Sequence, residues 1–285
     1  MPLYRPSELK NFLIENGVSP KKVLSQNFLI DGNVLKKIIH VANIQPSELI
    51  LEIGPGPGAL TEQLLNSQAS VIAVEKDRDL CRLLPRLSEH PGALKVCQAD
   101  IMDFPIHDTL KSLLKNQQKA KVVANLPYHL TTPILEKIVP MRDTLSKVVV
   151  MVQDEVARRF TAKPGTSDYS SFTVFLNYYA DCHYAFQVKR NSFHPAPKVD
   201  SAIVVLDLKQ PPKVSDETRF FNLTRTAFQM RRKMLRRSLI GVYPKETIVY
   251  ALEQLNMDPH TRPEQLSLEQ FVELFETLER AISQK

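Results

Sequence analysis

Cysteine is scarce in this sequence and badly placed for pairing. Cys81, Cys97 and Cys182 are the only three, an odd number with no C-x-x-C spacing among them. That excludes a disulfide framework and a zinc ribbon. The seven histidines are scattered, without the H-x-x-x-H or H-E-x-x-H spacing that sets two imidazoles on one helix face. No metal site is expected. No apolar run reaches the roughly eighteen residues a membrane span requires, and the stretch up to Lys22 lacks the apolar core of a secretory signal. A cytoplasmic protein without a membrane anchor is expected.

The 285 residues are 43% hydrophobic and 24% charged, enough for one large core and a second, smaller one. Lys and Arg number 37 against 31 Asp and Glu, for a net charge of +6 and a pI near 9.1. That balance points towards a polyanionic partner. Much of the excess lies in one place: Arg225, Arg231, Arg232, Lys233, Arg236 and Arg237 fall in a stretch without a single acid. A solvated helix face is the plainer reading, but such faces usually interleave acids that neutralise them.

Short β-branched runs alternate with helix-period segments through the first two-thirds of the chain, the pattern of a parallel sheet covered by helices on both faces. The expected strands are Leu49–Ile53, Ser70–Glu75, Leu94–Gln98, Lys121–Asn125, Lys147–Gln153, His183–Lys189 and Ala202–Leu208. Helices are expected over segments such as Gly58–Ser67, Arg78–Leu87, Pro133–Val139 and Ser171–Ala180. The last two strands are separated only by a Pro-rich link, which suggests an antiparallel hairpin at one edge. After Leu208 the breaker cluster Gln210-Pro211-Pro212-Lys213 ends the strand-like text. Beyond it, helices are expected over Asp216–Gln229, Arg231–Leu239, Lys245–Leu255 and Leu268–Ser283. The fold class expected is thus α/β, a Rossmann-like sheet with an antiparallel edge hairpin in residues 1–209, followed by a smaller all-α domain in residues 210–285.

Three of the eight glycines, Gly54, Gly56 and Gly58, stand between the first strand and the first helix of this pattern. A backbone that turns sharply against a ligand needs residues without Cβ; a tight turn made only for packing is the alternative. Glu75 ends the next strand, about twenty residues on, where a doubly wound fold offers a carboxylate to the two hydroxyls of a ribose. That suits any adenosine-type cofactor. The spacing Glu-x-Gly-x-Gly-x-Gly departs from the dinucleotide G-x-G-x-x-G, whose helix N-terminus holds a pyrophosphate, and so favours S-adenosylmethionine over NAD. Asp100 closes the third strand at the same edge, where it could accept from an adenine amine or simply cap the following turn.

The fourth strand runs into Asn125-Leu126-Pro127-Tyr128. An exocyclic base amine is a poor nucleophile because its lone pair is delocalised, so each of its hydrogens must be held to steer that pair at a methyl group. The Asn125 side-chain oxygen and the Leu126 carbonyl are two such acceptors. Pro127 fixes the local chain, and Tyr128 could stack on the purine and favour the positive charge that develops on nitrogen.

With these residues in place, the chain resembles the ribosomal RNA adenine dimethyltransferase family, its bacterial small-subunit members in particular, over nearly its whole length. The resemblance is carried by the tetrad, by Ser25-Gln26-Asn27-Phe28-Leu29, by Phe193 through Ala202 in the run FHPAPKVDSA, and by Phe228 through Arg236 in the run FQMRRKMLR. It implies S-adenosylmethionine as cofactor, with Asn27, Leu29, Gly54, Glu75, Asp100 and Asn125 as contacts. It also implies Phe193 as a second aromatic clamping a flipped adenine, the basic segment as an RNA contact anchored by Phe228, Met230, Met234 and Leu235, and two adjacent adenines near the end of small-subunit ribosomal RNA as substrate. The assembling small subunit is the implied partner, and a monomer is expected. Two departures stand out: Ser25 where the family usually has Gly, and Tyr169-Ser170-Ser171-Phe172 where a Tyr-Gly-Arg-Leu type sequence is usual, which puts one RNA phosphate contact in doubt. A large-subunit adenine methyltransferase conferring antibiotic resistance, and an RNA-binding assembly factor with dispensable catalysis, are the alternatives.

Overall fold

The computed structural model describes residues 3–88, 90, 92–115, 118–230 and 233–283. It divides into two compact units, one of Met1–Ala157 with Asp181–Lys209 and one of Arg158–Ala180 with Gln210–Lys285.

Among the described residues, the first unit carries nine strands: β1 (Phe28–Leu29), β2 (Leu49–Ile53), β3 (Ser70–Glu75), β4 (Leu94–Gln98), β5 (Ala120–Asn125), β6 (Leu145–Gln153), β7 (Ala180–Val188), β8 (Phe193–His194) and β9 (Ser201–Leu208). Seven of them form one sheet in the order β4-β3-β2-β5-β6-β9-β7, and β1 with β8 makes a separate two-stranded ribbon. The pairs β2–β3, β3–β4, β2–β5 and β5–β6 are parallel, and β9 runs antiparallel to β6. The expected strands are all present within a few residues. The central ones are mostly apolar because both of their faces are covered: β5 is buried from Ala120 to Ala124, with Lys121 as its one charged residue, and such burial is usual for parallel strands. At the edge, β7 alternates exposed and half-buried positions instead.

Helices α1 (Pro6–Glu15), α2 (Gly32–Ala42), α3 (Ala59–Asn66), α4 (Arg78–Leu83), α5 (Ile106–Leu113) and α6 (Thr131–Ile138) accompany the sheet, and α7 (Asp154–Phe160) leads out of it. Asp31 starts α2 by accepting from the backbone amides of Asn33 and Val34 at 3.0 and 3.2 Å, satisfying two orphan donors of the first turn. Its other carboxylate oxygen takes the Ser192 hydroxyl at 3.0 Å, which ties α2 to the approach of β8. Buried Lys121 on β5 donates to the Asn43 carbonyl at 2.7 Å and to Glu48 at 2.9 Å, so its ammonium is paired despite its burial.

The second unit comprises α8 (Ser171–Tyr179), α9 (Glu217–Gln229), α10 (Leu235–Ser238), α11 (Lys245–Gln254) and α12 (Leu268–Ser283). Residues 158–180, expected within the catalytic domain, group with this unit. The reason is aromatic packing: Phe175, Tyr178 and Tyr179 of α8 meet Phe220 and Phe221 of α9 at ring-centroid distances of 5.1 to 5.9 Å. One of the departures, Ser170 after the expected Tyr169, has a structural role here as well. Tyr169 is buried with its ring 6.0 Å from that of Phe228, and Ser170 closes a capping box with Thr173 at the start of α8. A helix expected over Arg231–Leu239 is much shorter, Leu235–Ser238; Arg231 and Arg232 lie outside the described residues. Phe228 and Leu235 are buried as anchors, whereas Met230 is half exposed. Among the described residues, no helix is long and apolar enough to cross a membrane.

Candidate active site

Strand order reverses between β2 and β5: successive parallel strands lead from β2 outward through β3 to β4, and then from β5 to β6 on the other side. Connections leave such a junction in opposite directions and open a crevice at the carboxyl ends of the two strands. Gly54 follows β2 and Asn125 ends β5, so both stand at that crevice. A cavity of about 220 Å³ lies there, walled by Asn27, Leu29, Gly54, Gly56, Glu75, Asp100 and the whole tetrad Asn125–Tyr128.

The glycines divide by role. Gly54 and Gly56 both take left-handed backbone, φ +65° and +58°, and a Cβ on Gly56 would come within 3.2 Å of the Phe28 ring, itself in the cavity wall. Gly58 does not line the cavity. It heads α3 at φ +98°, and a Cβ there would strike Leu87 at 2.3 Å, so its requirement is close packing.

Glu75, 5% exposed, accepts the Gly56 amide at 3.0 Å on one oxygen and the Asp77 amide at 2.7 Å on the other. Burial raises its pKa, opposed by these backbone donors. Each oxygen keeps a second lone pair for a ribose hydroxyl. Asp100 accepts the Met102 amide at 2.9 Å and Lys76 Nζ at 2.8 Å, and the Lys76 ammonium holds its carboxyl below the ordinary range. The turn-capping reading of Asp100 is therefore realised, in the cavity wall where the ligand reading put it.

The loop carrying Asp100 is held from α6. Lys137 Nζ donates to the carbonyls of Ile101, Met102 and Phe104 at 3.0, 2.5 and 3.0 Å, which uses all three ammonium protons. Nothing in the sequence pattern marks Lys137, because its partners are backbone atoms more than thirty residues away.

On the other wall, Asn125 Nδ2 donates to the Asn27 carbonyl at 3.1 Å, which leaves Oδ1 as the side chain's free acceptor. The Leu126 amide is taken by the Met151 carbonyl at 3.2 Å. Tyr128 shares a 2.7 Å hydrogen bond with Ser201, a fully buried hydroxyl at the start of β9, and burial raises the phenol pKa with that bond opposing. Ser25 has φ +52°, the left-handed backbone that suits the family's usual glycine. Its hydroxyl lies 3.2 Å from His129 Nδ1, so this chain has a polar contact where glycine has none. Lys21 and Gln26 both bind Asp77, at 2.7 and 2.9 Å, fastening the segment before β1 beside Glu75.

Phe193, like Gly58, is a site residue that the structure does not bring to the cavity. It pairs with Leu29 across the β1–β8 ribbon and is 3% exposed in the apolar core. Its position supports Leu29 and Phe28, which do line the cavity.

The architecture is that of the Rossmann-like methyltransferases. Solved structures similar to this chain include a dimethyladenosine transferase from Plasmodium falciparum, 28% identical with a TM-score of 0.76 over 89% of this chain and 98% of that one. The 23S rRNA methyltransferase ErmE is 27% identical with a TM-score of 0.68, covering 89% of this chain and 100% of that one. Residues 17–280 match the model of the ribosomal RNA adenine dimethylase family, and the chain belongs to that family. Two relatives named ribosomal RNA small subunit methyltransferase A are similar to it: one from Protochlamydia amoebophila, 55% identical over 98% of both chains, and one from Chlamydia abortus, 47% identical over 95% of this chain and 96% of that one. The chain is an S-adenosylmethionine-dependent methyltransferase, and the cavity fits that donor: two glycines without Cβ, a buried carboxylate with free lone pairs, and an acid, Asp100, just after β4.

Lys137→Met should raise the dissociation constant for S-adenosylmethionine about fivefold, the equivalent of about one hydrogen bond's net worth. The transfer rate at saturating donor should stay within about twofold of wild type on the same reasoning. Calorimetry and single-turnover rates measure the two; unchanged donor affinity would reduce Lys137 to a stability role.

Proposed function

We propose that this enzyme dimethylates the N6 amines of two adjacent adenines near the 3′ end of small-subunit ribosomal RNA, during late assembly of that subunit, and that it acts as a cytoplasmic monomer. The observation that carries the reading is the free Asn125 Oδ1 beside the Leu126 carbonyl, at the strand end facing the donor's pocket. Two acceptors in one cavity wall match in number the two hydrogens of an exocyclic amine.

S-adenosylmethionine supplies an electrophilic sulfonium methyl for in-line displacement. The chain's own residues do the rest. Asn27, Leu29, Gly54, Gly56, Glu75 and Asp100 hold the donor. Asn125 Oδ1 and the Leu126 carbonyl each accept one amine hydrogen, directing the nitrogen lone pair at the methyl group. Donation from Nδ2 to the Asn27 carbonyl keeps the Asn125 amide from turning its NH₂ towards the amine. Tyr128 stacks on the flipped base, anchored at its hydroxyl by Ser201, and its ring face favours the positive charge that grows on nitrogen. The alkylated amine loses its proton readily, so positioning accounts for most of the rate. A second round on the monomethylated amine still has one hydrogen for an acceptor.

RNA is held by the basic segment. Arg225, Lys233 and Arg237 are exposed and Arg236 is half-buried. None of the four forms an ion pair with the described residues, which leaves their charge for phosphate. Phe193 serves this reading as core support for β1, not as a clamp on the base.

The relatives' names favour small-subunit RNA, while the likeness to ErmE keeps a large-subunit adenine as the second reading. Labelled methyl transfer to small and large subunits that both lack this modification, followed by nucleoside analysis of each RNA, separates them. Dimethyladenosine at two neighbouring positions is expected. Label confined to large-subunit RNA would point to a resistance-type enzyme, and binding without label to an assembly factor. Replacing Lys233, Arg236 and Arg237 by Gln should reduce the slope of log affinity for RNA against log salt by about two to three, close to one for each phosphate no longer neutralised. An unchanged slope would return these residues to an ordinary solvated surface.

A further inference from the structure

Eight large apolar side chains stand exposed among the described residues, and Val23 alone of them lines the cavity. At 90% it is also the most exposed of the eight. Single apolar residues scattered over a surface need no explanation. One held open at the rim of a binding cavity does.

The turn that carries Val23 is fastened on both sides. It is a single 3₁₀ turn, Lys22–Leu24, closed by the Leu24 amide on the Lys21 carbonyl at 3.1 Å and by the Lys21 amide on the Gln26 side-chain oxygen at 2.7 Å. Lys21 Nζ reaches Asp77 and Asp79 at 2.7 and 2.9 Å. Two residues past Val23, the Ser25 hydroxyl meets His129 Nδ1 at 3.2 Å. The valine is thus presented on a fixed backbone, and being β-branched it has little rotamer freedom to lose when something covers it. His129 follows Tyr128 directly, is exposed, and lines the same cavity. Val23 and His129, joined through Ser25, form an exposed rim on the cavity whose wall includes Asn125–Tyr128.

What covers that rim must be apolar, flat-faced and small. A protein partner needs on the order of 800 Å² a side, far more than a valine and an imidazole offer. One nucleobase needs no more than they offer. When a base turns out of a strand into a pocket, the base beside it loses a stacking partner on one face. Apolar wedges and ring side chains fill such faces in nucleic-acid complexes.

We propose that Val23 and His129 cover the bared face of the nucleotide next to the target adenine, so that the rim recognises a purine neighbour while the tetrad holds the target. This rests on the substrate reading above and deepens it. With two adjacent adenines as substrate, each serves in turn as target and as neighbour.

Single-turnover methyl transfer tests this on small subunits whose RNA carries the natural adenine pair, or the pair with one adenine replaced by uridine. Each position is replaced in turn, and the rate is read at the adenine that remains. For one of the two replacements wild type should lose about tenfold, within the range of one stacked base. The double variant Val23→Ser/His129→Ala should lose no more than about threefold on the same RNA, since the contact is already gone. Whatever the replacement does to the RNA's own stacking is common to both proteins and cancels in the comparison. Donor affinity of the double variant, read by calorimetry, should stay within about twofold of wild type, as for an ordinary surface change. Equal losses by wild type and double variant on both RNAs overturn the proposal. Val23→Phe enlarges the apolar face and should widen the gap between the adenine and uridine neighbours beyond that of wild type. If the double variant does not fold, a Val23→Phe enzyme without a wider gap overturns the proposal instead. No transfer by wild type to small subunits of natural sequence would sink the substrate reading, a separate failure.

Discussion

Everything at this site depends on the reversal of strand order between β2 and β5. Two neighbouring parallel strands whose connections leave in opposite directions cannot both be roofed by their own loops, so the sheet opens at their carboxyl ends. Gly54 and Asn125 stand on the two sides of that opening, near enough that a Cβ on Gly54 would fall 3.9 Å from the Asn125 carbonyl oxygen. Donor and acceptor of a methyl group are thereby brought to one place by topology, before any side chain is considered. The side chains refine the arrangement: Asn27 orients Asn125 from one side, Ser201 anchors Tyr128 from another, and Lys137 steadies the loop of Asp100.

The electrostatics of the cavity have a consistent sense. Glu75 and Asp100 are each held by backbone amides or a lysine, and Asp77 by Lys21 and Gln26, while Glu52 is left without a partner on one oxygen. An acid-lined crevice of low dielectric suits a ligand that carries net positive charge and loses part of it on reaction. The basic stretch around Lys233, by contrast, belongs to the helical unit. The acidic pocket and the basic stretch thus lie on different elements of the chain.

Much of this was legible in the sequence, for identifiable reasons. The seven sheet strands and most helices follow from uninterrupted β-branched runs and helical periods, because burial on both faces leaves a parallel strand little freedom of composition. Gly54, Gly56, Glu75, Asp100 and the tetrad were marked by residue types that perform one chemistry at strand ends. What stayed hidden depends on long-range contact. The two-residue strands β1 and β8 are too short for any periodicity, so the burial of Phe193 opposite Leu29 had no local signal. Gly58 shares its neighbours' spacing but answers to Leu87. Residues 158–180 read as part of the α/β alternation, yet their aromatics pack on α9. Ser201 and Lys137 act through partners far along the chain.

The central claim is that Asn125 acts on the amine more than on the donor, and Asn125→Ala tests it most directly when donor affinity and single-turnover methyl transfer are measured on the same protein. The account predicts a transfer rate lower by about 10²–10³, the usual loss for one preorganised polar group, with donor affinity weakened by less than about tenfold, a little over one hydrogen bond. A rate within a few-fold of wild type, or a loss confined to donor binding, would contradict it.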